Sequence, residues 1–176
     1  MKNIEYEYRN LPIPGGGYVT GFLFDQDRKN VLYIRTDIGG CYRFSYENRH
    51  WDSLSESVNM FDLSETYPIA IATDFQQDET LYVISGINEE GKEGTFSISH
   101  DGGKTYTREI IPCFVHGNLN GRGTGYRLVQ NPKDKTTLYF ASQKDGLLWT
   151  GDYGKTWEKT DICGEISLPD DFLFYF

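Results

Sequence analysis

The sequence predicts an all-β protein, a partial β-propeller with about three four-stranded blades. One unit recurs along the chain with a period of about 50 residues, the length of a four-stranded propeller blade. Each copy contains a Leu-Tyr pair and closes on an aromatic residue. The composition is rich in turn formers and rings, with 19 Gly and 15% aromatic residues. At 176 residues the chain has room for one domain.

The three copies mark the predicted blades in order. The first blade covers about residues 17–54, the second about 67–110 and the third about 124–160. Residues 161–176 are predicted to start a truncated fourth blade, so we interpret 1–176 as one incomplete propeller domain. The residues that align the copies are Leu32-Tyr33 with Trp51, Leu81-Tyr82 with Tyr106, and Leu138-Tyr139 with Trp157.

The third copy displays four strands separated by turn formers. The predicted strands are 125–130, 137–141, 146–150 and 156–159. Between the first two copies, the helix-like spacing of Leu54, Val58 and Phe61 predicts a single helical turn.

The second and third copies end in matching turn sequences, SHDGGKTY at 99–106 and TGDYGKTW at 150–157. These resemble the Asp-box of propeller glycosidases. In such a turn a carboxylate accepts hydrogen bonds from backbone N–H groups, and the last ring packs under the hairpin. We therefore interpret Asp101 and Asp152 as turn-forming residues rather than catalytic acids.

Charge and composition argue against several classes of function. The chain has 17 Lys and Arg against 26 Asp and Glu, a net charge of −9, which disfavours nucleic acid as a partner because phosphate binding needs clustered cations. The most apolar stretches are about five residues long, against about 20 for a membrane span, so no membrane is expected as a partner. The three His lack ligand spacing and the three Cys are interpreted as buried thiols, so no metal or cofactor is expected.

The loops divide between the two ends of the blades. In an antiparallel meander the first and third turns of a blade share one face, and the Asp-boxes lie there. The opposite face, called the site face below, carries longer loops rich in Gly, Asn or charge, as binding loops commonly are. These loops are 14–18, 36–40, 55–68, 85–94, 111–124 and 142–146.

Asp37 is the principal candidate on the site face. It directly follows a strand and precedes Gly39 and Gly40, whose missing side chains would let a ligand approach the carboxylate. The spacing alone fits two interpretations, a general base or an Asx turn that caps the strand. Asp145 is the second carboxylate considered for a role on this face.

Three segments resemble a known family. PGGGYVTG at 14–21, LYIRTDIGGCYR at 32–43 and then Trp51 resemble the N-terminus of glycoside hydrolase family 74, which contains endo-xyloglucanases and oligoxyloglucan-specific cellobiohydrolases. GRGTGYRL at 121–128, followed by Asn131-Pro132, is similar to a later segment of that family. The resemblance covers about residues 8–160 and identifies the chain as an N-terminal part of such a protein.

The resemblance implies a fold and a chemistry. Family members have two seven-bladed propellers with the glucan cleft between them, and they cleave β-1,4-glucan with inversion. It implies that Asp37 is the general base, while the acid belongs to a second propeller that this chain does not contain. Xyloglucan is the implied partner, no cofactor is implied, and the family is usually secreted, although residues 1–10 hold no apolar signal segment. The implied substrate-binding residues are Tyr18, Arg35, Gly39, Gly40 and Arg122.

Three positions depart from the family pattern. Tyr126 stands where the family usually has Glu, Cys41 where it has Ala, and Phe44 where it has Trp. The change at Tyr126 removes a carboxylate from the start of an inner strand, which affects the predicted contacts near Arg122.

Other functions stay open at this stage. A carbohydrate-binding module would use Tyr18, Tyr42 and the aromatic residues of 106–114 as stacking surfaces. A non-enzymatic propeller scaffold would use the repeats alone. Three blades leave two lateral faces unpaired, which predicts marginal stability alone or self-association through the open blade edges.

Overall fold

The computed structural model describes residues 7, 10, 13–25, 28–57, 63–75, 77, 79–87 and 93–160. Within these ranges the chain forms three four-stranded antiparallel sheets, each built from strands consecutive in sequence. No helix in these ranges is long and apolar enough to cross a membrane. The predicted all-β fold is confirmed, whereas the predicted start of a fourth blade, 161–176, lies outside the described residues.

Each sheet is a simple meander. The first contains β1 (Val19–Phe24), β2 (Val31–Thr36), β3 (Cys41–Ser45) and β4 (His50–Ser53). The second contains β5 (Pro68–Thr73), β6 (Leu81–Ser85), β7 (Gly94–Ser99) and β8 (Thr107–Ile111). The third contains β9 (Leu128–Asn131), β10 (Asp134–Ala141), β11 (Leu147–Thr150) and β12 (Glu158–Lys159).

The third sheet differs from its predicted strands at both ends. β9 begins at Leu128 rather than residue 125, because Gly125 has a positive φ of 41°, outside the extended region. β12 begins at Glu158 rather than residue 156, because Thr156 is bonded into the preceding turn by Asp152. The helical turn predicted from Leu54 is replaced by a 3-10 turn at Leu63–Thr66, while Val58 and Phe61 lie outside the described residues.

The apolar residues lie mainly between the sheets. Every residue of β5 and β6 is buried, because the second sheet is covered by the first on one face and by the third on the other. At the second interface the rings of Phe96 and Trp157 meet edge to face at 5.3 Å. Stacked sheets of this kind expose one end of every strand to the same side of the molecule.

The Asp-box interpretation is consistent with the hydrogen bonds of both turns. Asp101 accepts from the N–H groups of Lys104 and Thr105 and from the Thr105 hydroxyl, at 2.7–3.0 Å. Asp152 accepts from Thr156 N at 2.9 Å and from its hydroxyl at 2.7 Å. Partial burial opposes ionisation of Asp152, but the hydrogen bonds from Thr156 and Thr150 outweigh it and lower the Asp152 pKa to about 2.

Two of the three cysteines are buried free thiols, as predicted. These are Cys41 and Cys113, and burial raises the pKa of each to about 12, so both are protonated at neutral pH. Cys163 lies outside the described residues. Among the residues that the structure describes, no group of three His, Cys, Asp or Glu is arranged to hold a metal ion.

Candidate functional site

Three segments meet at the site face. They are the stretch before β1 at 14–18, the β2–β3 loop at 37–40, and the stretch before β9 at 121–127. The first two segments belong to the first sheet and the third leads into the third sheet. The Asp-boxes lie in the β7–β8 and β11–β12 turns, at the other ends of the strands.

Asp37 lies immediately after β2 with its carboxylate held by two segments. The N–H of Tyr18 donates to Oδ1 at 2.7 Å, and the N–H of Asp37 donates back to the Tyr18 carbonyl at 3.0 Å. The Nε of Arg122 lies 3.5 Å from Oδ2, an ion pair without hydrogen-bond geometry. Only 8% of the Asp37 surface is exposed, so the Arg122 charge offsets part of the cost of burying this carboxylate.

The glycines around Asp37 serve the chain's own packing. Gly17 has a φ of 98°, and a Cβ there would lie 2.9 Å from Asp37 Oδ1. A Cβ on Gly39 would clash with the Gly16 carbonyl oxygen, and one on Gly40 with the Ser55 hydroxyl. The sequence interpretation that Gly39 and Gly40 leave space for a ligand is therefore corrected, since protein atoms already occupy that space.

Tyr18 and Arg122 stand together beside the carboxylate. Tyr18 is 67% exposed, and the Cζ of Arg122 lies 6.0 Å from the centre of its ring, at cation–π distance. Arg122 also donates from Nη1 to the Leu119 carbonyl at 3.4 Å. The structure thus brings Tyr18, Asp37 and Arg122 into one cluster, as their predicted common role requires.

Arg35 belongs to the same region but is 3% exposed. Its Nη1 donates to the Thr20 hydroxyl at 2.8 Å and to the Arg122 carbonyl at 2.7 Å, and Nη2 donates to the Gly125 carbonyl at 3.2 Å. Burial is the main reason that the Arg35 pKa falls to about 10, which still leaves the group charged at neutral pH. Arg35 holds the 122–125 segment over β2, and its direct contact with glucan stays a prediction.

A cavity of about 330 Å³ opens beside this cluster, between β1, β5 and the stretch before β9. Its lining includes Tyr18, Phe22, Arg35, Ile71, Tyr126 and Arg127. Sequence reasoning did not single out Arg127, although the residue lies inside the GTGYRL motif. Its guanidinium donates to four acceptors of the neighbouring loops, a role that spacing in the sequence does not reveal.

Asp145, the second candidate carboxylate, is part of a separate set of contacts. Its Oδ2 accepts from Phe114 N at 2.8 Å and its Oδ1 from Lys159 Nζ at 3.0 Å. Burial favours the protonated form, but these bonds outweigh it and lower the Asp145 pKa. Asp145 is therefore ionised at neutral pH and connects the 111–124 loop to β12.

Comparison with known sequences finds similar xyloglucanases, although no family model matches the chain. A xyloglucanase from a Paenibacillus species is 36% identical over 159 residues, which is 88% of this chain and 16% of that protein. A xyloglucanase from Acetivibrio thermocellus is 32% identical over 166 residues, 92% of this chain and 20% of that protein. The chain thus spans about a fifth of the length of these curated relatives.

Solved structures agree with the sequence comparison. The crystal structure of the GH74 xyloglucanase from Xanthomonas campestris has a TM-score of 0.76 at 32% identity, with 94% of this chain and 23% of that chain covered. A GH74 enzyme from Niastella koreensis has a TM-score of 0.74 at 30% identity, with 85% and 22% covered. YCF48 from Cyanidioschyzon merolae, at 15% identity and a TM-score of 0.54, shares the fold alone. These neighbours confirm a propeller-type arrangement of the three sheets.

Proposed function

The chain is homologous to the glycoside hydrolase family 74 xyloglucanases along most of its length, and on that premise we propose that it carries the general base of an inverting xyloglucanase-like enzyme. The proposed base is Asp37. The observation that carries the proposal is the placement of the Asp37 carboxylate at the end of β2, bonded to Tyr18 N and paired with Arg122.

Asp37 would act on water. In an inverting glycosidase the base removes a proton from a water molecule as its oxygen attacks the anomeric carbon. An acid on the other side of the sugar protonates the departing glycosidic oxygen, with the two carboxyl groups about 6.5 to 9.5 Å apart.

The acid is proposed to lie on a part of the enzyme that this chain does not include. A general acid needs a pKa raised toward neutrality. Asp145 is unsuited because its bonds to Phe114 and Lys159 lower its pKa. Asp101 and Asp152 are bonded into turns at the opposite face.

The proposed substrate is the β-1,4-glucan backbone of xyloglucan, in keeping with the names of the relatives. The exposed ring of Tyr18 offers an apolar face on which a pyranose could stack next to Asp37. The Arg122 guanidinium supplies donors for sugar hydroxyl groups in the same place.

The test separates the base from the missing acid. A 2,4-dinitrophenyl β-glycoside of a xyloglucan oligosaccharide has a leaving group that departs without protonation, so the base alone suffices for its cleavage. We expect the chain to hydrolyse this compound, to leave xyloglucan intact, and to lose the activity in Asp37→Ala. Hydrolysis that survives in Asp37→Ala would overturn the assignment of the base.

A second candidate function is glucan binding without cleavage, which the exposure of Tyr18 favours. Calorimetric titration with xyloglucan oligosaccharides distinguishes it. Binding that weakens in Tyr18→Ala, together with no hydrolysis of the activated glycoside, would identify a binding module.

A further inference from the structure

The cavity beside the site has one buried and one partly buried guanidinium group in its lining, and no counter-charge within the described part of the chain. Arg35 and Arg127 both line it, and its described lining contains no acidic residue. Neither arginine forms an ion pair with a described carboxylate, whereas Arg122 pairs with Asp37. Two like charges placed close together in a partly buried cavity favour the binding of an anion.

The arginines are held in place by neutral acceptors. Arg35 donates to the Thr20 hydroxyl and to the carbonyls of Arg122 and Gly125. Arg127 donates from Nη1 to the carbonyls of Ala141 and Ser142, and from Nη2 to Gly121 O and Thr124 Oγ1. These bonds hold both guanidinium planes in place without neutralising either charge. The two cations are therefore preorganised.

The Nε of each arginine makes no hydrogen bond within the described residues. The Nε of Arg127 is buried and has no hydrogen-bond partner. The Nε of Arg35 donates to no described acceptor. A donor without an acceptor is costly, and a ligand oxygen that reaches the Arg35 Nε recovers part of that cost, whereas the Arg127 Nε is closed off from solvent and contributes through its charge.

The rim of the cavity has a different chemistry. Tyr18 is 67% exposed and Tyr126 is 47% exposed, and both rings border the opening. Aromatic faces stack on apolar faces of ligands, and a volume of about 330 Å³ is at the small end of the range for ligand pockets. A single pyranose ring fits such a space.

We propose that this cavity binds a uronic acid residue, with its carboxylate on the Nε and Nη2 donors of Arg35 near the Arg127 charge, and its ring between Tyr18 and Tyr126. Carboxylate is the anion that a guanidinium binds through paired hydrogen bonds. The site is separate from the proposed base, because neither Asp37 nor Arg122 lines the cavity. It therefore does not depend on the assignment of Asp37 as the base, although it shares Tyr18 and Arg35 with the predicted glucan contacts.

The test is an NMR titration of the isotope-labelled chain with D-glucuronate, and with D-glucose and acetate as controls. We expect saturable shifts of the Gly125, Tyr126 and Arg127 amides with glucuronate. Because charge-assisted bonds are lost with glucose and ring contacts with acetate, glucuronate should bind about tenfold more tightly than either. Equal affinity for glucuronate and glucose, or no saturable shift, overturns the proposal. Acetate that binds as tightly as glucuronate overturns the assignment to a sugar acid.

Variants at the rim of the cavity test anion binding without removing either arginine. Tyr126→Glu places a carboxylate at the cavity, and we expect glucuronate affinity about tenfold below that of Tyr126→Gln, which matches Glu in size but is neutral. Tyr46→Glu, at a similarly exposed position (46%) in the β3–β4 turn, should keep wild-type affinity. Equal affinities in Tyr126→Glu and Tyr126→Gln, with both folded by circular dichroism, would contradict the site.

Discussion

Tyr18 and Asp37 hold each other through two hydrogen bonds across 18 intervening residues: Tyr18 N–H donates to the Asp37 carboxylate at 2.7 Å, and Asp37 N–H donates to the Tyr18 carbonyl at 3.0 Å. The carboxylate is therefore fixed by backbone rather than by a rotatable side chain. Preorganisation of this kind is what a general base needs, because a displaced base loses its alignment with the attacking water.

The first prediction concerns Gly17. Gly17→Ala forces a side chain onto a φ of 98° and places Cβ 2.9 Å from Asp37 Oδ1. We expect a loss of about 1–3 kcal/mol in the free energy of unfolding, measured by urea denaturation, and loss of activity on the dinitrophenyl glycoside. Gly16→Ala is the matched control, since a Cβ there meets nothing within 4 Å. Equal behaviour of the two variants would show that the close approach at Gly17 is unimportant.

The second prediction concerns Arg35. Arg35→Met keeps the unbranched apolar part of the side chain but leaves Thr20 Oγ1 and the carbonyls of Arg122 and Gly125 without this donor. We expect the free energy of unfolding to be about 2–3 kcal/mol lower than in the wild type. Arg43→Met removes a partly exposed pair with Asp52 and should change the value by at most about 1 kcal/mol. The reverse order of the two effects in urea denaturation would refute the role given to Arg35.

The third prediction concerns the contact between the second and third sheets. The Tyr82 hydroxyl donates to Asp74 Oδ2 at 2.6 Å, and Gln130 Nε2 of the third sheet donates to the same oxygen at 2.8 Å. Tyr82→Phe removes one donor from a buried carboxylate, so we expect a loss of about 1–3 kcal/mol by thermal or urea unfolding. Tyr139→Phe, whose hydroxyl makes no hydrogen bond within the described residues, should stay within about 0.5 kcal/mol of the wild type.

The fourth prediction is a pH dependence. The folded-state pKa of Asp152 is about 2, below the ordinary value of about 3.9 for an unfolded chain. A lowered pKa stabilises the fold above pH 4, and this contribution is lost as the pH falls from about 4 to about 2. The difference in unfolding free energy between the wild type and Asp152→Asn should therefore shrink over that window.

A variant at Thr156 tests whether the hydrogen bonds of the turn cause this pH dependence. Thr156→Val deletes the hydroxyl that donates to Asp152 Oδ2 but keeps the backbone donor, so the pH dependence should become weaker without vanishing. A difference between wild type and Asp152→Asn that is flat from pH 5 to about pH 2 would exclude the turn as its source.

The repeat unit was sufficient to predict the sheets. Strand order in a meander follows from short turns between strands, and the Asp-box carries its own hydrogen bonds within eight residues, so both are local in sequence. The position of Asp37 at a strand end was predictable for the same reason. Its use as a base rests on homology and stays a prediction.

The surroundings of Asp37 were less predictable. Arg35 reaches the carbonyls of Arg122 and Gly125, which lie 87 and 90 residues further along the chain. No spacing in the sequence encodes that contact, because it depends on how the first and third sheets are placed relative to each other. The sequence predicts open space for a ligand at Gly39, whereas the Gly16 carbonyl of the neighbouring segment fills it. Only the packing between segments reveals whether a missing side chain leaves room.

The contacts of Arg35 with residues far along the chain also determine the order in which contacts can form during synthesis. The first sheet can hydrogen-bond internally as soon as β4 has emerged, but the Arg35 guanidinium finds its carbonyl partners only after residue 125 has been made. The ion pair of Asp37 likewise forms only after Arg122 has been made. Contacts of such high sequence separation form late and slow folding. A nascent chain released before this point would contain the strands of the first sheet with a charged, unassembled site.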